Sequence, residues 1–467
     1  MYHLPAPVRR GLYFGLQRAV GSRIAEAWRE FQRWEGFSPA RLEENVDVKL
    51  SRVLTRATAE SGYYRKLGLV RNSGETVKDF LQRFPVLTRE QLREHFTDIV
   101  VDRLRGEILS PASKSSRRYD WLVVKTGGTT GHPTTVVHDA QARDWGRATR
   151  LASAKYCGHP LGTRYFRLWG SEPDLLKEEA TLHLRIQRNL LGEIPLNAFR
   201  AKEHELRHHW ETLRAHPEIH SMMAYVDAAV SLALFIEDQQ LDRPKLKAIM
   251  ACAGTVMPEW RDILQRAFSA EVFDKYGSRE CCDIACECRE HSGLHVYSPN
   301  VFVEIVDEQG NRCEPGKTGR ILVTMLNNPS FPMIRYQIGD MGQWAEPSGC
   351  PCGLPYPRLK DLQGRQDDML VTQDDTLLTS VFVRHFIGFS LIRQLIREWQ
   401  LEQTGAGQFI FRYIPTDRAN LDANLKKIRE SFKLAFGQDA HIQLCEVASI
   451  QPGATGKIRW IINSWKR

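Results

Sequence analysis

The stretch Val124-Lys125-Thr126-Gly127-Gly128-Thr129-Thr130-Gly131-His132-Pro133 is the strongest constraint on how this chain folds. An apolar run, Trp121 to Val124, leads into it. Six positions then hold three glycines and three threonines, and a proline closes the stretch. Glycine lets a backbone approach a ligand closely, successive N–H groups point inward, and threonine hydroxyls add donors. An apolar strand feeding such a loop is one way to wrap an anion. The phosphate-loop pattern G-x-x-x-x-G-K-[ST] is not met, because His132 and Pro133 follow Gly131. Taken alone, the stretch also reads as a polar hairpin turn.

At 467 residues the chain is too long for one core of ordinary size, so two or three domains are expected. A hydrophobic share of 42% and a charged share of 26% are those of a globular protein. No 18-residue apolar run occurs, so no membrane span is expected, and no signal peptide is read at the N-terminus. A net charge of +8 spread over this length suits anionic ligands such as nucleotides without pointing to nucleic acid. Most of the ten cysteines fall between Cys281 and Cys352. With no secretion signal, that clustering reads as metal binding in a reducing, cytoplasmic compartment.

Residues 1–120 read as mainly helical. Ala40 to Ala57 and Thr88 to Phe96 carry helical apolar spacing, Pro85 calls for an extended step, and Thr88 with Glu90 and Gln91 starts a helix. Residues 121–300 alternate short apolar runs with helical patterns, as an α/β layered fold does. Tyr165 to Gly170 and Ala248 to Thr255 are such runs. A helix is expected from Pro258 to Phe268, and another over Ser221 to Gln239, opening with Met222, Met223, Ala224 and Tyr225. Residues 301–344 read as strands around a turn at Glu308 to Asn311. The domains expected are 1–364 and a smaller, mobile 365–467, which ends in the lysine-bearing glycine loop Gly453 to Ile458.

Five motifs in one order now agree: Thr126 to Pro133, Tyr276-Gly277-Ser278-Arg279-Glu280, Arg335-Tyr336-Gln337-Ile338-Gly339-Asp340, Gly364-Arg365-Gln366-Asp367-Asp368 and Thr455-Gly456-Lys457-Ile458. With them the chain resembles the acyl-adenylate-forming enzymes, and within these the phenylacetate–CoA ligase family, including its branch associated with capsule polysaccharide genes. The resemblance implies a large α/β multi-layer N-terminal domain and a small C-terminal α+β domain. It also implies a two-step reaction. A small carboxylic acid, with an aromatic one among the options, attacks ATP to give acyl-AMP, and an acceptor such as coenzyme A takes the acyl group.

The same resemblance implies roles. Thr126, Gly127, Gly128, Thr129, Thr130 and Gly131 hold the β- and γ-phosphates, and Glu280 associates with Mg2+, a hard ligand for a hard cation. Asp340 accepts from the ribose hydroxyls, and Arg365 lies near ribose and phosphates. Gly254, Thr255, Tyr276 and Gly277 belong to the adenine pocket. Lys457 stabilises the adenylation transition state, Asp367 is the hinge, and Tyr225 lines the acyl pocket. Cations and N–H donors placed where charge develops on phosphate oxygens are what this chemistry needs.

Some positions depart from the family pattern. Thr134 and Thr135 stand where a lysine usually follows the loop proline, and Arg279 takes a slot often filled by threonine. After Asp368, residues 369–375 lack the glycine-containing stretch typical of coenzyme A ligases. The acceptor therefore stays open between coenzyme A, an amine or amino sugar of surface polysaccharide assembly, and a carrier thiol. A nucleotide-binding regulatory protein is the reading outside catalysis. Cys288-x-x-His291 and Cys350-x-Cys352 supply four S/N ligands for a structural Zn2+, with Cys286 and His295 as alternates. Reduced buried thiols are the plainer reading. Oligomeric state is not legible.

Overall fold

The computed structural model describes residues 4–109, 121–125, 134–169, 182–198, 203–365, 370–371, 377–378, 396–415, 421–451 and 461–465. They fall into two compact units. The larger takes the described residues up to 361 apart from 339–341, and the smaller takes 339–341 and those from 362 onward.

The larger unit opens with eight helices: α1 (Ala6–Ala19), α2 (Ile24–Trp34), α3 (Pro39–Glu60), α4 (Gly62–Arg65), α5 (Val77–Gln82), α6 (Arg89–Glu94), α7 (Phe96–Ile99) and α8 (Asp102–Leu109). Their starts are written in the sequence. Ser38 caps α3 with Pro39 at its first position, and Thr76 caps α5. Thr88 and Gln91 form the reciprocal capping box of α6, as the Thr88 signal predicts. Leu42, Val46, Leu50, Leu54 and Ala57 put the buried stripe of α3 at helical spacing.

Next, β1 (Trp121–Lys125) and β2 (Thr135–Asp139) pair antiparallel with Lys125 opposite Thr135. The glycine–threonine stretch is thus the connection of a ribbon. Its residues 126–133 lie outside the described ones. Asp139 caps α9 (Ala140–Tyr156) by accepting from the Ala142 N–H at 2.9 Å.

The centre is an 11-stranded sheet. Its strands are β3 (Tyr165–Trp169), β4 (Glu193–Asn197), β5 (Ser221–Tyr225), β6 (Ala248–Cys252), β7 (Glu271–Ser278), β8 (Cys282–Glu287), β9 (Leu294–Val296), β10 (Val301–Val306), β11 (Gly319–Met325), β12 (Tyr336–Trp344) and β13 (Arg358–Arg365). They lie in the order β10-β11-β12-β13-β9-β8-β7-β6-β5-β3-β4. From β4 to β7 neighbours are parallel, and at β8 the direction reverses. The helices Val226–Asp238 and Pro258–Phe268 connect the parallel strands, the latter where the sequence predicts it. The reading of one helix over Ser221 to Gln239 is corrected. Ser221–Tyr225 is a strand, and the helix starts at Val226. Five residues without polar alternation suit a strand covered on both faces, which periodicity does not separate from a buried helix. The core on one face of the sheet joins Phe31 and Trp34 of α2, Trp145 of α9, Met223, Met250 and Phe273.

Arg335 fastens the helical region to this sheet. Its guanidinium donates to Glu304 Oε2 at 3.2 Å and to the carbonyls of Gln82, Phe84 and Gly310 at 3.1, 3.0 and 3.0 Å. Both side chains are nearly fully buried, at 5% and 2% exposure. Burial raises the Glu304 carboxyl pKa even with Arg335 beside it.

The smaller unit has its own four-stranded sheet in the order β18-β17-β16-β19: β16 (Ile396–Gly405), β17 (Gln408–Pro415), β18 (His441–Glu446) and β19 (Ile461–Asn463). The short pair β14 (Leu370–Val371) and β15 (Leu377–Leu378) precedes it. The helix Leu421–Phe436 packs Phe432 and Phe436 onto Phe409, so the unit carries a core of its own. This is the α+β C-terminal sheet domain that the fold class anticipates.

Removing one member of a buried ion pair costs about 3–5 kcal/mol. Arg335→Ala is therefore expected to lower denaturant stability by that order, and Arg335→Ala with Glu304→Leu by less. Chemical unfolding at neutral pH measures both, and equal losses would contradict the pairing.

Candidate functional site

The parallel strands β5, β6 and β7 bring several expected residues to one edge of the sheet. Tyr225 ends β5, Gly254 and Thr255 follow β6 after Ala253, and Tyr276 and Gly277 lie in the last part of β7. Ligands of open α/β sheets bind outside these carboxyl ends. Two of the glycines are required by close approach. A Cβ on Gly254 would meet Val226 Cγ1 at 2.7 Å, and one on Gly277 would meet the Cys282 carbonyl oxygen at 2.5 Å. Ala253 turns the chain out of β6 at a φ of +62°.

Glu280 sits in the short connection from β7 to β8 and is 4% exposed. His138 of β2 donates from Nε2 to its backbone carbonyl at 2.8 Å, and the Tyr336 hydroxyl of β12 donates to its Oε1 at 3.4 Å. Burial lowers the His138 pKa, so the ring is neutral at pH 7 and Nε2 carries its proton. The ribbon that brackets the glycine–threonine stretch is thus tied to the Glu280 turn. Glu280 offers a buried carboxyl group, a hard oxygen donor of the kind Mg2+ takes.

Asp340 is on β12 and half-buried, and Arg365 is the last residue of β13. The Arg365 side chain, Thr126 to Gly131, Asp367 and Lys457 lie outside the described residues. A small cavity lined by His159, Tyr165, Ser221 and Met250 lies toward the opposite ends of the parallel strands and has room for about one water. It is no substrate site.

An acid network beside Thr255 escapes the sequence motifs. Asp274 of β7 is 8% exposed, and its Oδ2 accepts from the Val256 N–H at 3.5 Å. Its own N–H donates to Glu287 Oε2 at 2.8 Å. Burial, with Glu287 adding repulsion, raises the Asp274 carboxyl to about 7. Burial also acts to raise Glu287, but His291, the two 3.0 Å bonds from Arg261 and the Asp274 N–H outweigh it and hold that carboxyl low. The available signal is an acid directly after the apolar pair Val272 and Phe273.

Cys288, Cys350, Cys352 and His295 bring three sulfurs and one ring nitrogen within 4.8 Å of one another. The Cys288–Cys350 sulfurs are 3.6 Å apart, and Cys352 Sγ is 3.4 Å from His295 Nε2. Tetrahedral Zn2+ with bonds of about 2.0–2.3 Å has ligand–ligand edges of about 3.5–3.8 Å, so the set fits that ion. The Tyr356 carbonyl lies 3.4 Å from His295 Nδ1, which leaves Nε2 as the lone-pair nitrogen. Burial lowers the His295 pKa to about 4. The Leu354 N–H donates to Cys352 Sγ at 3.5 Å.

The geometry corrects one member of the expected set. His291 stands outside the cluster, with Nδ1 and Nε2 each 3.1 Å from a carboxylate oxygen, of Glu287 and Glu271. Glu287, the larger influence, raises its pKa. A ring donating from both nitrogens has no lone pair for a metal.

These features sit in a fold already known. The solved 2-hydroxyisobutyryl-CoA ligase in its postadenylation state, bound to an acyl-AMP, superposes with a TM-score of 0.70 at 19% identity over 93% of this chain and 92% of that one. The chain has the acyl-adenylate-forming ligase fold. Its residues 370–464 match the CapK C-terminal domain family. Protein CapK of Staphylococcus aureus is 22% identical over 392 residues, 83% of this chain and 81% of that protein. A phenylacetate-coenzyme A ligase of Thermus thermophilus is 30% identical over 103 residues, 22% of each chain. The family resemblance read from the five motifs therefore stands. No described helix is long and apolar enough to cross a membrane.

Two outcomes are expected. His295→Ala and Cys352→Ser should lose bound zinc and lower the melting temperature by about 5 °C or more, whereas His291→Ala keeps about one zinc per chain. Elemental analysis with calorimetry decides this, and zinc loss in His291→Ala alone would reverse the ligand assignment. The second concerns pH. A carboxyl near 7 in the fold and about 3.9 unfolded means the native state binds the extra proton between those values. Its contribution to stability is full below about pH 4 and disappears as pH rises through about 7. Between pH 5 and 7, stability of the parent should fall more steeply than that of Asp274→Asn, by on the order of 1 kcal/mol for each step of one in pH. Parallel curves would remove Asp274 as the cause.

Proposed function

We propose that the chain is an ATP-dependent, AMP-forming carboxylate ligase acting on a small carboxylic acid. A carboxylate oxygen attacks the α-phosphorus and forms a P–O bond. The bond from that phosphorus to the bridging oxygen breaks, and pyrophosphate leaves. An acceptor then takes the acyl group and AMP departs. The carrying observation is the convergence of Tyr225, Gly254, Thr255, Tyr276 and Gly277 on the carboxyl edge of adjacent parallel strands, with Glu280 on the next turn. That is where this fold class holds its ligand.

In this reading Tyr276, Gly277, Gly254 and Thr255 seat the adenine, and Glu280 holds Mg2+, which neutralises phosphate charge when bound. Asp340 takes the ribose hydroxyls. Thr126 to Gly131, Arg365 and Lys457 meet the phosphates, with Asp367 as the hinge. Tyr225, its ring 4.4 Å from that of Trp169, walls the acyl site. The Zn2+ held by Cys288, His295, Cys350 and Cys352 is structural, since protein ligands fill all four places.

Coenzyme A is the first acceptor to consider. The missing glycine stretch after Asp368 favours an amine or amino sugar as the second. ATP–pyrophosphate exchange over a panel of acids, without acceptor, tests the shared first step. Exchange is expected with at least one acid. ATP binding with no exchange for any acid would leave the nucleotide-binding regulatory reading instead. Lys457→Ala should reduce exchange by about 100-fold or more while transfer from preformed acyl-AMP falls far less. Equal losses in both steps would refute its assigned role.

A further inference from the structure

β7 carries a second set of residues on its other face. Tyr225, Cys252 and Lys275 lie in register across β5, β6 and β7, so their side chains share one face of the sheet. Trp169 extends the row on β3, its ring 4.4 Å from that of Tyr225 and 6.0 Å from Lys275 Nζ. Lys275 directly precedes Tyr276, and Asp283 follows Glu280 by three residues.

Lys275 Nζ is 2.9 Å from Asp283 Oδ1, and the two side chains are 4% and 14% exposed. A buried ion pair on a row that otherwise holds two aromatic rings and a thiol is costly for stability alone. An apolar pair of similar volume usually serves as well. Asp283 Oδ2 is buried and, among the described residues, has no hydrogen-bond partner. A buried carboxylate oxygen left unbonded costs free energy that a donor would recover. Lys275 has two further N–H donors beyond the one directed at Asp283.

Resting on the ligase reading above, we infer that Lys275 and Asp283 are the specificity pair of the acyl site, and that the acid adenylated carries a hydroxyl group. The pair is electroneutral. A second carboxylate or an ammonium on the substrate would leave a net charge in a site with little water, which is expensive. A hydroxyl both accepts from the Lys275 ammonium and donates to Asp283 Oδ2, so it completes both groups without adding charge. The Tyr225 and Trp169 rings cover the hydrocarbon part. A site built around a buried donor and acceptor rejects the analogue lacking the hydroxyl, because the analogue leaves both unpaired.

The test is ATP–pyrophosphate exchange with matched acids: 4-hydroxybenzoate against benzoate, 4-hydroxyphenylacetate against phenylacetate, and each 3-hydroxybutyrate enantiomer against butyrate. The parent enzyme is expected to favour the hydroxylated member of its best pair by at least about tenfold in kcat/KM. In Lys275→Met/Asp283→Leu, which keeps the row filled and neutral, the preference, read as the ratio of kcat/KM for the two acids of the pair, should fall within about threefold. Preference by the parent for the unsubstituted acid would overturn the inference and leave the ligase reading intact. So would a preference that survives in the double variant. Exchange with no acid of either kind would overturn both.

Discussion

Gly277 meets the backbone of Cys282 so closely that no side chain fits between them, and this contact governs the working edge of the molecule. It lets β7, the last parallel strand, turn back as β8 within a few residues, with a register shift between Tyr276 and Gly277. That tight reversal holds Glu280 in a buried turn, within reach of β2 and β12. A looser loop here would place its carboxylate in water and separate it from the strand that presents Tyr276. The parallel-to-antiparallel change is therefore the point at which sheet topology becomes chemistry.

Much of this is legible in the sequence where local rules decide local structure. Thr88 with Gln91, Ser38 before Pro39, and Pro258 at a helix start are signals whose physics is confined to one turn, and the structure follows them. Ser221 to Tyr225 defeats such reading because an apolar run five residues long has no periodicity that favours helix over strand. Only its neighbours β3 and β6 select the extended form. The candidate site divides in the same way. Motif positions such as Tyr276 and Glu280 are found by their order in the chain. Asp274, Lys275 and Asp283 are not, because their significance lies in burial and in partners on other strands.

The cysteine cluster illustrates a similar limit. Spacing favours Cys288 with His291, a short knuckle. The fold instead brings His295, seven positions on, to the three sulfurs, because β9 returns antiparallel to β8 and sets His295 beside Cys286. His291 is left to a different task, joining Glu287 and Glu271 in the network that flanks Asp274. Register decides the choice of ligand, and sequence spacing does not encode register.

One consequence follows from the alternation of side chains along β7. Asp274 and Tyr276 project to one side of the sheet, and Phe273 and Lys275 to the other. Adjacent residues of one strand therefore serve separate environments: Asp274 is bonded to Val256 and Glu287, and Lys275 is paired with Asp283. A substitution at 275 leaves the side-chain bonds of Asp274 in place, because the two side chains lie on opposite faces of the sheet. One strand of this kind thus holds two sets of side chains that can be altered independently of each other.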